Sequence, residues 1–174
     1  NTGYYGGGIS ISASGTMTLT NSTVSGNTAI QMGGGIFNDG AMTLTNSIIA
    51  GNSGSSGKDC SGDTGTSMGH NLIGTAGCIS APATGDKSGT DPKLGPLKDN
   101  GGPTWTHALL PGSPAIDAGS CIEGITTDQR GVERPLRQTC DIGAYEAENE
   151  LPIADDQTVS TAEGKPVAIT LTGS

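Results

Sequence analysis

The chain has 174 residues, 32% of them hydrophobic, and a net charge of −9. That length suits one domain with a fragment of a second. An acidic balance with only eight Lys and Arg excludes a phosphate-binding surface, because nucleic acid needs clustered cations, and no apolar run approaches the length of a membrane span. The acidity serves solubility or divalent cations such as calcium, for which the residues assign no ligand set.

In chain order, the first feature is a repeat. Gly6-Gly7-Gly8-Ile9 returns as Gly33-Gly34-Gly35-Ile36, an offset of 27, and Met17-Thr18-Leu19-Thr20-Asn21-Ser22 returns as Met42-Thr43-Leu44-Thr45-Asn46-Ser47, an offset of 25. Turns absorb such a jitter. Thirty glycines, nine prolines and abundant Thr and Ser fit short strands joined by tight turns rather than helical repeats. Met17 and Leu19 alternate with Thr16, Thr18 and Thr20, the period of a half-buried strand. Stacking Leu44 on Leu19 and Ile49 on Val24 predicts aliphatic columns, with Thr43 facing solvent. One repeat cannot bury its apolar face alone, whereas stacked repeats can. The expected fold is all-β: a right-handed parallel β-helix, or solenoid, over residues 1–146. Asn21 and Asn46 share a corner position, where an inward amide ladder is expected. Asn21-Ser22-Thr23 also matches a glycosylation sequon, which Asn46 lacks.

Residues 53–68 are rich in Gly and Ser and read as a loop leaving the stack. The repeat resumes in weakened form at 69–74, where His70 is expected to be an exposed repeat residue without a partner. Four cysteines allow three pairings. Their clustering favours Cys60 with Cys78 and Cys121 with Cys140, as disulfides of an oxidising compartment; a zinc site is not expected, because no Cys-x-x-Cys occurs.

From Asp91 the texture changes. The run from Asp91-Pro92-Lys93-Leu94-Gly95-Pro96 through Pro111-Gly112-Ser113-Pro114-Ala115-Ile116-Asp117-Ala118-Gly119, continued by Thr127-Asp128-Gln129-Arg130-Gly131-Val132-Glu133-Arg134-Pro135 and Cys140-Asp141-Ile142-Gly143-Ala144-Tyr145-Glu146, resembles the C-terminal part of secreted bacterial right-handed β-helix repeat proteins of the choice-of-anchor type. The resemblance spans roughly residues 6–146. It implies a right-handed β-helix exported to the cell surface or medium, and little about activity. Asp117, Asp128, Arg130, Arg134 and Asp141 are expected to form a charge network holding a disulfide-tied closing region.

Residues 147–152 read as a linker. Residues 153–174 are similar to the opening strands of cadherin-like or immunoglobulin-like modules. Val167, Ile169 and Leu171 alternate with polar or small residues, and Val159 precedes them. Such a module needs about 100 residues, so this extended β-strand tail is expected to join another subunit or the remainder of its own module. At the other end the chain enters its first repeat within a few residues, which leaves little room for a cap.

No catalytic constellation is expected. The first two repeats hold one acid, Asp39, and no Lys or Arg precedes Lys58, whereas polysaccharide hydrolysis and elimination need paired carboxylates or a cation site with a base. The favoured reading is a non-enzymatic extracellular structural or adhesive surface protein, self-associating into filaments or joined to neighbouring domains. The alternatives are a polysaccharide-binding module and, below it, a pectate-lyase-like enzyme. Tyr4, Tyr5 and Trp105 are the only candidates for stacking on sugars, and are expected instead to pack over the ends or sides of the solenoid.

Overall fold

The computed structural model describes residues 1–148. They form fifteen short strands: β1 (Thr2–Tyr5), β2 (Ile9–Ile11), β3 (Thr16–Thr20), β4 (Thr23–Val24), β5 (Thr28–Met32), β6 (Ile36–Asn38), β7 (Ala41–Thr45), β8 (Ile48–Ile49), β9 (Ser53–Ser56), β10 (Cys60–Gly62), β11 (Thr66–Ser67), β12 (Leu72–Ile73), β13 (Lys87–Ser88), β14 (Leu94–Lys98) and β15 (Thr106–Leu109). The first thirteen lie in four sheets, ordered β1-β5-β9, β2-β6-β10, β3-β7-β11 and β4-β8-β12-β13. Every pairing in these sheets is parallel. The chain therefore visits the same four sheets in the same order three times, and a partial fourth pass adds β13 to the last of them. The class is all-β, built from short parallel strands.

The register follows the repeat. Leu19 sits opposite Leu44, Met17 opposite Met42 and Val24 opposite Ile49, while Ile9 is opposite Ile36. The offsets of 25 and 27 are thus those of two different sheets within one pass. Ile36, Leu44 and Ile49 are fully buried and share a cluster with Ile11, Val24, Met42, Cys60, Ile73 and Cys78. A second cluster lies on the other side of β8 and β12, where Ile48 and Leu72 meet Leu109, Ala115 and Ile142. Alternation within each two-residue strand feeds both clusters, because neighbouring side chains point to opposite faces.

Residues 53–68 are not a loop leaving the stack. They are the third pass: β9 pairs with β5, β10 with β6 and β11 with β7. Parallel ladders use the backbone, so Ser and Gly serve here where Thr, Ala and Ile serve earlier. The lost glycine triplet has a steric cause. A Cβ on Gly34 would run into the carbonyl oxygens of Ser53 and Lys58 in the next pass. Lys58 occupies the corresponding position of the third pass, and β10 is the last strand of its sheet, so a side chain is tolerated there. Gly6, Gly33 and Gly57 all keep positive φ, between 63° and 67°, and mark the same corner three times.

Between strands, backbone N–H groups lack ladder partners and side chains supply them. Ser22 N donates to Ser47 Oγ (3.2 Å), Ser47 N to Asn71 Oδ1 (2.9 Å) and Asn71 N to Asp86 Oδ1 (2.8 Å). At the next corner Asn27 N donates to Asn52 Oδ1 (3.0 Å) and Asn52 N to Asp59 Oδ1 (3.1 Å). Each series ends on an aspartate. Among the described residues no buried side-chain nitrogen or oxygen lacks a partner.

Two disulfides are present, Cys60–Cys78 and Cys121–Cys140. Cys60 stands in the column of Ile9 and Ile36, and the bridge to buried Cys78 closes that column. Each bridge encloses a short loop and stabilises by about 3 kcal/mol on the chain-entropy model.

Candidate functional site

Two regions concentrate polar chemistry or unpaired edges: the closing segment and the first-pass end of the stack. The closing segment follows the antiparallel hairpin β14–β15 and packs over β8 and β12 through Ala115 and Ile142. Having little secondary structure, it is held by side-chain hydrogen bonds. Arg134 Nε donates to Glu146 Oε2 (2.7 Å), and the two side chains are 1% and 2% exposed. Arg134 Nη2 also reaches the carbonyls of Gly143 (2.8 Å) and Asp141 (3.2 Å). Glu146 Oε2 accepts Asp141 N as well (3.1 Å). Arg130 pairs with Asp128 Oδ2 (2.8 Å) and lies 3.6 Å over the Tyr145 ring. Asp128 Oδ2 further accepts Glu146 N (2.9 Å).

Asp141 accepts the N–H groups of Asp117 (2.7 Å) and Ala147 (2.6 Å). Burial pushes its pKa up to about 6, and the negative charges of Glu146 and Asp117 add to the rise, against these two N–H bonds. The folded state thus holds the proton more tightly than the unfolded chain. Its contribution to stability is complete below about pH 4 and is lost as pH rises through about 6, a fall on the order of 3 kcal/mol. Urea midpoints measured from pH 4 to 7 should show this slope, and Asp141→Asn should flatten it; equal slopes in the two proteins would refute the assignment.

Of the residues expected in the charge network, Asp128 pairs with Arg130, Arg134 pairs with Glu146, and the Asp141 carboxylate meets backbone N–H groups rather than an arginine. The backbone of Asp117 takes part as well: its N–H binds Asp141 and its carbonyl accepts Thr139 Oγ1 (3.1 Å). The sequence reading omitted Glu146, which joins both arginine centres. Its position directly after Ala144-Tyr145 was the available signal, but acids of the closing segment look alike without the fold.

Asn46 Nδ2 donates to Asn21 Oδ1 (2.7 Å), the expected amide ladder, with φ of 46° and 48° at the two residues. Asn46 is buried against the closing segment, however, through Asp141 O (2.9 Å) and Ser120 N (2.9 Å). His70 takes the same slot in the third pass, with φ of 55°. It is half-buried rather than exposed, and its Nδ1 lies 2.9 Å from Ala118 O. The corner that receives the closing segment is thus marked by Asn, Asn and His.

Tyr4 and Tyr5 pack together beside Phe37 on the stack, yet they and Trp105 stay open to solvent. Tyr4, Tyr5 and Trp105 are 56%, 45% and 63% exposed. Val159, Val167, Ile169 and Leu171 lie outside the described residues.

The two ends of the stack differ. At the third-pass end, Gly65 bridges to Ile79, Lys87–Ser88 pairs with β12, and the Cys60–Cys78 bridge covers the column. At the other end, β1, β2, β3 and β4 are edge strands among the described residues, as β9 and β10 are at the third-pass end. There Ile9, Met17 and Leu19 are only partly buried, while their partners Ile36, Met42 and Leu44 are buried. The hairpin points toward this end: Leu94 and Gly95 line a groove with Ala50 and Gly51 of the second pass, and Leu97 and His107 line one with Ile9 and Val24 of the first.

The open grooves are walled mainly by Gly, Ser, Thr and Asn. Among the described residues no three His, Cys, Asp or Glu gather as metal ligands, and no helix is long and apolar enough to cross a membrane. Comparison with family models, curated proteins and solved structures finds no match to the chain. Fold and site define an all-β chain of stacked short parallel strands, closed on one flank by a polar segment and tied by two disulfides.

Proposed function

We propose that the chain is a right-handed parallel β-helix acting as a non-enzymatic structural or adhesive element of an extracellular surface protein, related to the choice-of-anchor type its sequence resembles. The observation that carries this reading is the asymmetry of the stack. Among the described residues both ends carry strand edges, β9 and β10 at the third-pass end and β1 to β4 at the first-pass end. Only the third-pass end carries a disulfide and a partial fourth pass, while the apolar column at the first-pass end is half-buried. Exposed parallel edges are templates for further strands, and contacts that do not close on themselves build filaments. In this reading the first-pass end joins subunits, and the connecting strand is residues 159–171 of a second copy, added to an edge. The buried acids and arginines serve folding: their oxygens and nitrogens are taken up by one another and by the closing backbone. Disulfides fit an oxidising compartment.

The test is assembly state. Light scattering and negative-stain imaging of the full chain should show concentration-dependent oligomers, and deletion of 153–174 should abolish them while both disulfides remain. A full chain that stays monomeric would refute the filament, and a truncated chain that still assembles would refute the tail as connector.

A further inference from the structure

The chain has five aromatic residues, and three of them meet at one corner of the stack. The rings of Tyr4 and Tyr5 are 4.9 Å apart and nearly perpendicular, at 86°. Tyr5 also lies 5.1 Å from Phe37, with the planes tilted by 35°. Gln31 Nε2 donates to Tyr4 Oη (3.2 Å), which fixes that phenol and leaves its own proton for an outside acceptor. Tyr4 and Tyr5 stand on β1, and Phe37 stands on β6 between Ser10 and Ser61 of the neighbouring strands. Large aromatic surface left in water on a small stack is costly, since each such ring gains by being covered.

What would cover it is constrained by charge. The protein carries a net charge of −9, yet β1, β2, β5, β6, β9 and β10 contain no Asp, Glu, Lys or Arg. An aromatic corner in this uncharged, hydroxyl-bearing surface matches a neutral pyranose. The apolar C–H face of such a sugar lies on a ring, while its hydroxyls bond Tyr Oη, Gln31 and the serines. An anionic glycan gains nothing from these strands and is repelled by the chain as a whole. A protein partner would also use aromatic contacts, but the lack of charged side chains on these six strands favours sugar.

We propose that Tyr4, Tyr5 and Phe37, with Gln31, form a binding platform for neutral pyranose units of a polysaccharide. Tyr4 and Tyr5 stand on β1, itself an edge strand of the first-pass end. Sugar retardation and assembly are nonetheless read by different measurements, so this proposal can fail while the filament reading stands, and the reverse. Affinity electrophoresis of the full chain in gels holding hydroxyethylcellulose, laminarin, galactomannan or xylan tests it, with polygalacturonate as the charged comparison. Retardation is expected in at least one neutral gel and not in polygalacturonate. Tyr5→Ala should weaken the apparent affinity about tenfold, the loss of one stacked ring. Trp105→Ala, on the β14–β15 hairpin, should leave it unchanged. Tyr4→Phe keeps the ring and removes the hydroxyl, so it should weaken binding less than Tyr4→Ala. Circular dichroism of each variant guards against misfolding. No retardation in any neutral gel would overturn the proposal, as would retardation by polygalacturonate alone. A Tyr5→Ala protein that is folded and retarded like the parent would overturn it as well.

Discussion

Arg134→Ala is expected to destabilise the protein by about 3–5 kcal/mol, the usual cost of leaving one partner of a buried ion pair behind. The guanidinium is 1% exposed and bonds Glu146 and two backbone carbonyls, so its removal strands the Glu146 carboxylate and the Gly143 and Asp141 oxygens together. The loss should be felt first in the closing segment. Hydrogen exchange should quicken at the amides of Asp141 and Ile142 before those of β7, whose partners on both sides are strands of the stack. The double variant Arg134→Met with Glu146→Leu should recover part of the loss, because an apolar pair carries no desolvation penalty. Urea denaturation measures the first effect and exchange the second. A loss under about 1 kcal/mol would show that the pair is not buried in solution.

Leu44→Ala is expected to cost about 2–5 kcal/mol, as a large-to-small change in a packed core. Leu44 is fully buried, stacked on Leu19 of the pass before and Ser67 of the pass after. With a strand on each side of β7, the passes have little freedom to collapse into the space left behind. The neighbouring Thr43 is half-buried, and Thr43→Ala should cost under about 1 kcal/mol. Leu19→Ala should fall between the two, since Leu19 lies at the open end and is only partly covered. Equal losses at 43 and 44, with both disulfides intact, would contradict the assigned faces.

The register of the first two passes was legible because each position carries its own cue. Leu19 and Leu44, Val24 and Ile49, and the glycine triplets each name their partner, and backbone closeness at Gly34 explains why a triplet is needed. The third pass was not legible, for the same reason in reverse. Where no further strand stacks above β10, the steric demand for glycine ends, and Lys58-Asp59-Cys60 replaces the signal while the backbone pairing continues. Ser53–Ser56 pairs as well as Thr28–Met32 does, but hydrogen bonds of the main chain leave no mark in composition.

The closing segment divides along the same line. Opposite charges and short loops along the chain gave grounds to expect contacts among Asp128, Arg130 and Arg134 and to favour pairing of cysteines near in sequence. Which groups face one another did not follow. Glu146 joins Arg134 to Asp141 across a segment without regular strands, His70 meets Ala118 across 48 residues, and three scattered aromatic residues share one corner. The sequence by itself determined the repeat, its strand class and its register over two passes, and favoured the disulfide pairing, because those are set by periodicity and local chain length. The tertiary structure alone decided the third pass, the hub at Glu146, the unequal ends and the aromatic corner, because each depends on which backbone edges and side chains the stacking brings within a few ångströms.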